Sequence, residues 1–346
     1  MKYNNKFLAA SIFMVSCFIH ADDVSINQDT TKKTDVEVEV DFLYWGASQE
    51  GNAYALSGAL NQVGDSSGPK PKGELYEPGV SASSSFKIGL GKYLDHDDWK
   101  LAAKYTYFTT HSDSKARASS SLNPLEPIFI YSPVNSIMQK VIYEDEAFVD
   151  EAKADWKLLL NNIDLTLEKD FFPTTWLSFS PFIGLQGAFI EQKLNVDYSV
   201  VDIQNIDYEL GENQIKFKQN YWGLGPVIGL NTLWSFVDHI GLYFDASLSA
   251  LWGQFSSKVR SYDTYYGRYL KTLIANQSYN PHTISPVVDI AIGLQFILNQ
   301  DNKNNHFRFL AGWEQQIWWD QAQHSASIPS NNLFLEGLTV KFIGSF

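Results

Sequence analysis

Five acidic and imidazole side chains in polar stretches of the sequence could carry out acid–base chemistry. They are His111, Asp113, His282, Asp320 and His324. A His beside an Asp can take a proton from water and so create a nucleophile, provided that a group lies within hydrogen-bonding distance of that water. The five residues lie in three separate stretches, so the sequence does not establish that they converge. Polar loops carry such groups by chance, and the sequence favours a protein that is not an enzyme.

Other reactive chemistry is scarce. Cys17 is the only cysteine and lies in a segment that we expect to be removed, so the mature chain is predicted to lack disulfides, zinc–thiolate sites and thiol nucleophiles. The acidic run at 95–98 and the pair Asp238-His239 are typical of solvated turns. No phosphate-binding loop and no metal-ligand spacing occurs, so neither a cofactor nor a metal is predicted.

Most ionisable residues instead recur at alternate positions of segments that are otherwise apolar. Between residues 36 and 42, apolar side chains such as Val38 and Val40 alternate with acidic ones such as Glu39 and Asp41. A period of two is that of a β-strand with two different faces. Ten such segments occur, within residues 36–44, 86–90, 99–107, 156–167, 177–189, 222–234, 240–252, 288–296, 307–317 and 338–346. A change of parity near residues 160–162 predicts a β-bulge there.

The connections between these segments alternate in length. Short polar or Pro-containing stretches lie at 95–98, 170–175, 235–238 and 300–305, whereas 47–83, 109–153, 193–214, 255–285 and 319–335 are long. An even number of strands with alternating short and long connections is typical of an outer-membrane barrel with short periplasmic turns and long extracellular loops. The fold class predicted for residues 36–346 is therefore an all-β, transmembrane antiparallel β-barrel of about ten strands.

Tryptophan positions support a membrane barrel. Nine tryptophans lie near the ends of the predicted strands: Trp45, Trp99, Trp156, Trp176, Trp222, Trp234, Trp252, Trp318 and Trp319. Trp favours membrane interfaces because one end of the ring system is apolar and the other carries an N–H donor. Trp222 and Trp234 share a predicted face, and their separation corresponds to roughly 28 Å along the membrane normal at a tilt near 45°. These nine residues are therefore predicted to form aromatic girdles.

The first residues resemble an export signal. Lys2 and Lys6 precede a largely apolar run of 13 residues from Phe7 to Ile19, and Ala21 offers a small residue for cleavage. We expect residues 1–21 to be a signal peptide and 22–35 a loose arm; a lipoprotein signal cut before Cys17 is the alternative. The formal charge of −13 gives no basic footprint for nucleic acid.

The last strand and several short motifs carry a family resemblance. The chain ends in an alternating strand that closes with Phe346, and it contains Asp-Phe-Leu-Tyr-Trp at 41–45 and Trp-Gly-Leu-Gly-Pro-Val-Ile-Gly-Leu-Asn at 222–231. These features resemble the major outer membrane protein-like family of environmental chlamydiae and legionellae. The resemblance implies an abundant bacterial outer-membrane barrel, a porin or structural surface protein, whose terminal Phe346 is a signal to the assembly machinery. Chlamydial members are cysteine-rich and disulfide-linked, so the single cysteine here speaks against a cross-linked envelope.

The charged face of the strands is predicted to line the lumen. Its acids are Glu37, Glu39, Asp41, Asp164, Glu168, Asp245, Asp289 and Glu314, and its bases are Lys87, Lys100, Lys104, Arg308 and Lys341. Because acids outnumber bases and ten strands enclose little space, we expect a narrow diffusion channel for small hydrophilic solutes that prefers cations. The alternatives are a closed adhesion or surface-display barrel, or a rim protease resembling the ten-stranded omptins. Lipid is the expected partner; the outward Trp313 marks either lipid contact or a homo-oligomer contact.

Closure of the barrel predicts two strand registers. Setting Phe346 opposite Val36 also sets Phe342 opposite Val40 and Lys341 opposite Asp41. A second register places Lys100 opposite Glu168 and Lys104 opposite Asp164. A slip by one residue would turn these charges towards lipid, at a cost of about 2–4 kcal/mol for a Lys at the membrane midplane.

Overall fold

A computed structural model describes residues 36–57, 73–94, 99–118, 125–129, 137, 147–202, 209–237, 239–266, 270–299, 306–323 and 331–346. The predicted signal peptide (1–21) and arm (22–35) lie outside the described residues, as do the stretches 95–98 and 300–305. Within the described part, no helix is both long enough and apolar enough to cross a membrane.

The described residues form fifteen strands joined in one antiparallel sheet. In chain order they are β1 (Val36–Gln49), β2 (Ala55–Ser57), β3 (Glu74–Tyr76), β4 (Ser83–Tyr93), β5 (Trp99–Arg117), β6 (Leu125–Pro127), β7 (Ala147–Lys169), β8 (Phe171–Thr174), β9 (Leu177–Asp202), β10 (Glu209–Val237), β11 (Ile240–Tyr265), β12 (Leu270–Tyr279), β13 (His282–Asn299), β14 (His306–Ala322) and β15 (Asn331–Ser345).

Ten of these strands close into a barrel. Their order around the wall is β1, β4, β5, β7, β9, β10, β11, β13, β14 and β15, and β15 pairs with β1. Closure removes the sheet edges, so the backbone N–H and C=O groups are satisfied within the wall. This confirms the predicted all-β antiparallel barrel of ten strands. We call the end that carries Val36 and Phe346 the turn end and the opposite end the loop end.

Both predicted registers are confirmed. Phe342 lies opposite Val40 and Lys341 opposite Asp41, and the backbones of Val36 and Phe346 exchange hydrogen bonds of 3.3 and 2.9 Å. Lys100 lies opposite Glu168 and Lys104 opposite Asp164. Apolar side chains thereby share the outer face and charged side chains the inner face, which is the arrangement that fixes register in a two-faced strand.

The strands extend much further than predicted. β10 has 29 residues and β9 and β11 have 26 each, whereas about ten residues suffice to cross a bilayer. Much of the predicted loops 109–153, 193–214 and 255–285 is therefore strand. The predicted β-bulge at 160–162 is wrong, because the β5–β7 register runs without a shift from Glu151 to Lys169. The irregularity of β7 lies between Val149 and Glu151.

The apolar face of the wall changes sides along each long strand. Towards the turn end, the outer face is apolar and open; Ile163, Leu224 and Phe189 are 51%, 55% and 58% exposed. Towards the loop end the outer face is polar, and the inner face carries buried apolar side chains such as Leu158 and Leu194. The outer environment thus changes from one that suits lipid to one that suits water.

This change of sides corrects three predicted girdle residues. Trp45, Trp156 and Trp318 are 0%, 2% and 0% exposed and lie inside the barrel, because they occupy the inner parity of their strands. The other predicted girdle residues lie on the outer face: Trp176, Trp222, Trp234 and Trp252 are exposed, and Trp99 and Trp319 are half-buried. Trp176 and Trp234 pack together at the turn end with ring centroids 5.8 Å apart.

Candidate functional site

The half of the barrel interior near the turn end contains a polar cavity of about 470 Å³. Twelve of the thirteen charged residues predicted to face the lumen line it: Glu37, Glu39, Lys87, Lys100, Lys104, Asp164, Glu168, Asp245, Asp289, Arg308, Glu314 and Lys341. The thirteenth, Asp41, is also inside but is fully buried. The inner faces of eight strands of the wall therefore bring these charges together.

Each of the five basic residues in this cavity forms an ion pair. Lys100 Nζ lies 3.1 Å from Glu37 and 2.9 Å from Glu168. The remaining pairs are Lys104–Glu39 at 2.7 Å, Lys341–Asp245 at 2.8 Å, Arg308–Glu37 at 2.5 Å and Lys87–Glu314. Several join strands that are not neighbours, such as β15 and β11, so the bridges run across the lumen and narrow it.

Two pairs of opposite charges that lie opposite each other on adjacent strands do not form ion pairs with each other. Lys341 directs its ammonium to Asp245 on β11 and not to Asp41 opposite, and Lys104 turns to Glu39 and not to Asp164. A long Lys side chain in a narrow barrel reaches a partner across the lumen as readily as one beside it. Asp164 accepts a hydrogen bond from Asn162 at 2.8 Å, and neither oxygen of Asp41 has a hydrogen-bond partner among the described residues.

A compact network on β4, β1, β15 and β14 lies where this cavity meets the interior near the loop end. Trp45 Nε1 donates to Thr339 Oγ1 at 3.0 Å, and Thr339 donates to Glu314 at 2.9 Å. Glu314 pairs with Lys87, whose Nζ lies 4.9 Å from the centre of the Trp45 ring system, within range of a cation–π interaction. We call these four residues the seal. It holds the buried Trp45 side chain, a member of the apolar interior, against two residues that line the cavity.

Beyond the seal, the described interior contains one large apolar cluster, with buried polar residues such as Gln192 and Gln219 beside it. Wall residues such as Phe108, Trp156 and Phe217 are at most 3% exposed in it. Tyr54, Ala55, Leu125, Phe129 and Ile137, which do not belong to the ten barrel strands, are also buried in this cluster. Strands β2, β3 and β6 pair with one another and with β7 at Val149. Segments from the loop end therefore fold inward as an inner cap.

Two polar residues anchor the inner cap, and neither is among the site residues predicted from the sequence. Tyr198 donates its hydroxyl to the carbonyl of Tyr54 at 2.6 Å and accepts from the backbone N–H of Phe129 at 3.3 Å. Asp263 accepts from the backbone N–H of Ile137 at 2.7 Å, and burial raises the pKa of this carboxyl. The sequence does contain a signal for an apolar interior near the loop end. Past the predicted girdle, apolar residues continue to alternate, but at positions whose side chains face inward, as at residues 194–200.

The acidic and imidazole candidates for catalysis do not form one site. His111 Nε2 lies 2.5 Å from Asp155, but His111 and Asp113 are exposed on the outer face of β5. His282 stacks on Trp252 on the outer face of β13, and four strands separate β13 from β5. Asp320 is half-buried on β14, and His324 lies outside the described residues. Across the described chain, no three His, Cys, Asp or Glu residues are grouped to hold a metal ion.

A cluster of opposite charges lies on the outer wall beyond the apolar band. Glu151 is 2.6 Å from Lys115, 2.9 Å from Arg117 and 2.7 Å from Lys153. Burial raises the pKa of Glu151, but hydrogen bonds from these three bases outweigh it and lower the pKa to about 2. Since the folded state favours the ionised form, the cluster stabilises the β5–β7 extension above the ordinary pKa and loses that effect as the pH falls towards 2.

We expect Glu151→Gln to flatten the acid dependence of stability. The parent should lose stability between about pH 4.5 and 2, whereas the variant should be less stable at neutral pH and change less across that window. Urea titrations of the refolded protein at several pH values measure this. The exposed Glu212→Gln on the same wall is the control, and an unchanged slope in Glu151→Gln would contradict the role given to the cluster.

A closed ten-stranded barrel with an apolar outer band and a charged interior defines an outer-membrane β-barrel protein. Over residues 29–343 the chain matches the family model described as Legionella pneumophila major outer membrane protein precursor. It belongs to that family, which confirms the resemblance found in the sequence. Among curated proteins, no sequence matches this chain significantly.

Solved structures similar to this chain are other outer-membrane proteins. The outer membrane protease OmpT of Escherichia coli is 11% identical with a TM-score of 0.41, over 94% of this chain and 99% of that one. Ail, the attachment invasion locus protein of Yersinia pestis, is 9% identical with a TM-score of 0.24, over 90% and 99% of the two chains. The transport unit of the Escherichia coli autotransporter AIDA-I is 8% identical with a TM-score of 0.33, over 93% of each chain.

Proposed function

We propose that this protein is a structural surface protein of the bacterial outer membrane whose resting barrel is closed to diffusion. The observation that carries this proposal is the large apolar cluster beyond the seal, whose side chains are at most 3% exposed. Water and ions do not cross a packed apolar interior, whose density is that of a crystal. In this proposal, the outer wall and the loops at the cell surface carry the function, and the lumen does not.

The orientation proposed is that of its class. The turn end, with Val36 and Phe346 and hence both termini, faces the periplasm, and the loop end faces outward. Phe346 ends the last strand and serves as the signal to the assembly machinery. In this arrangement the long strands lift the outer rim of the barrel well above the lipid surface.

Surface labelling tests this orientation. Single cysteines at Asp113→Cys and Ser278→Cys should react with a membrane-impermeant maleimide on intact cells, and Asn302→Cys should react only after the cells are opened. Labelling of Asn302→Cys on intact cells would reverse the orientation.

A narrow cation-preferring porin is the second candidate function. The polar cavity favours it, because three lumen acids, Asp41, Asp164 and Asp289, remain outside the ion pairs of the five bases. Lumen charge tunes the selectivity of such barrels. For the barrel to conduct ions as a porin, the seal and the inner cap would have to move out of the lumen.

Planar-bilayer recording of the refolded protein decides between the two candidates. The closed barrel should give no steady conductance, whereas steady cation-preferring current that falls on Asp245→Asn and Asp289→Asn would support the porin.

We also propose that the protein is not an enzyme, since its exposed His and Asp residues point outward from separate strands. Trp313, 53% exposed on the outer face, is proposed to contact lipid; an oligomer contact there stays a prediction.

A further inference from the structure

Four lysines lie directly opposite one another on adjacent strands of the outer wall. Lys157 on β7 lies opposite Lys193 on β9, Lys193 opposite Lys218 on β10, and Lys218 opposite Lys258 on β11. We call these four residues the lysine row. Their side chains occupy the outward parity, and Lys157, Lys193 and Lys218 are 54%, 49% and 50% exposed.

The acids near the lysine row do not neutralise it. Glu191 serves both Lys193 and Lys218, at 2.6 and 3.6 Å, and Asp155 lies 3.6 Å from Lys157. Lys258 forms no ion pair with any acid in the described part of the chain. Like charges directly opposite each other on neighbouring strands destabilise a sheet. The row therefore keeps an excess of positive charge that the protein itself does not balance.

A second pair of basic residues lies next to the lysine row. Two positions further from the membrane band, Lys216 lies opposite Arg260 on the same outer face. Beyond them the wall carries acids and bases together, including Asp197, Glu212 and the cluster of Glu151 with its three bases. The lysine row therefore differs from the wall further out in having basic residues side by side on four neighbouring strands.

The lysine row lies just beyond the lipid-facing part of the barrel. Lys193 is four positions from the exposed Phe189, Lys218 four from Trp222, and Lys258 six from Trp252. At about 3.3 Å per residue and a tilt near 45°, these offsets correspond to roughly 9–14 Å above the aromatic side chains. Aromatic side chains mark the membrane interface, so the lysine row lies at the height of the lipid headgroups and the layer just outside them.

We propose that the lysine row binds the phosphate groups of lipid headgroups in the leaflet at the loop end. An ammonium group is a compact, strongly hydrated cation that binds phosphate through charge-assisted hydrogen bonds. Lysines spaced one strand apart, about 4.8 Å, allow neighbouring side chains to share one phosphate. The proposal rests on the membrane location and the outward loop end, and it is independent of whether the lumen conducts.

The test compares two matched double variants of the full chain. Refolded protein in a non-ionic detergent is titrated with diphosphoryl lipid A, and native mass spectrometry counts the lipid bound. Lys193→Gln/Lys218→Gln should bind about 30-fold more weakly than the parent, as expected for two lysines near an anionic lipid surface. Lys92→Gln/Lys169→Gln, which removes two lysines at the turn end, should bind like the parent. Dephosphorylated lipid A should bind neither protein tightly.

The single variant Lys258→Gln keeps the test decisive if the double variant folds poorly. Lys258 has no ion pair to lose, so its replacement should leave folding intact and weaken lipid A binding about 5-fold. Equal affinity of parent and lysine-row variants, equal losses in both double variants, or equal binding of dephosphorylated lipid A would each overturn the proposal. Millimolar inorganic phosphate that displaced all bound lipid would assign the row to free anions instead.

Discussion

Replacing Lys87 with Met should lower the free energy of unfolding by about 3–5 kcal/mol, because it leaves a buried carboxylate without its counter-charge. The side chains of Lys87 and Glu314 are 6% and 2% exposed, so water cannot screen the charge that remains. Met preserves most of the volume of the Lys stem, and the loss is therefore electrostatic. Urea titration of the protein refolded into neutral lipid vesicles measures the change.

Two further variants separate this effect from a general loss of charge. Lys157→Met removes a lysine that is 54% exposed and 3.6 Å from Asp155, and it should cost less than about 1 kcal/mol. Lys87→Met/Glu314→Gln removes both charges and should recover much of the loss. Equal stabilities of Lys87→Met and Lys157→Met would contradict a buried pair at the seal.

Replacing Trp45 with Ala should destabilise the barrel by about 3–5 kcal/mol, since the side chain is fully buried and leaves a large cavity. Thr339 would also lose the N–H donor that Trp45 supplies at 3.0 Å. Because Trp45 joins the apolar cluster to the cavity-lining Lys87, the same variant should admit water to the seal. Urea titration measures the stability.

Trp252→Ala is the matched control for this prediction. Trp252 is also a tryptophan near the loop end, but it is 57% exposed on the outer face, so its removal leaves no internal cavity. It should cost clearly less stability than Trp45→Ala. If the two variants were equally stable, Trp45 would not be a core residue of the barrel.

The fold could be predicted from the sequence because two constraints act on every strand. Alternation separated Val40 and Phe342 from Asp41 and Lys341, and closure then fixed which residues lie opposite each other. For a chain that crosses lipid as strands, hydrogen bonding of the backbone allows only a closed barrel. These constraints are local or topological, so they are visible without knowing any distance.

The ion-pair partners and the inner cap could not be predicted in the same way. Lys341 reaches Asp245 because the barrel is narrow. The width of the lumen depends on all ten strands together, so the sequence of a single strand does not predict it. The parity change near residues 160–162 predicts a bulge, although the strand is regular there. Leu158 and Leu160 face inward while Ile163 faces outward, because the medium outside the wall changes between them.

That change of medium divides one continuous wall into two parts with different requirements for stability. The part near the turn end has apolar side chains on its outer face and charged side chains inside, so its stability depends on the surrounding lipid. The part near the loop end has a polar outer face and the apolar interior of a water-soluble protein. The two share the same strands but not the same driving force. Partial opening at the outer rim therefore need not disturb the embedded part, and the outer part can retain its packing when lipid composition changes.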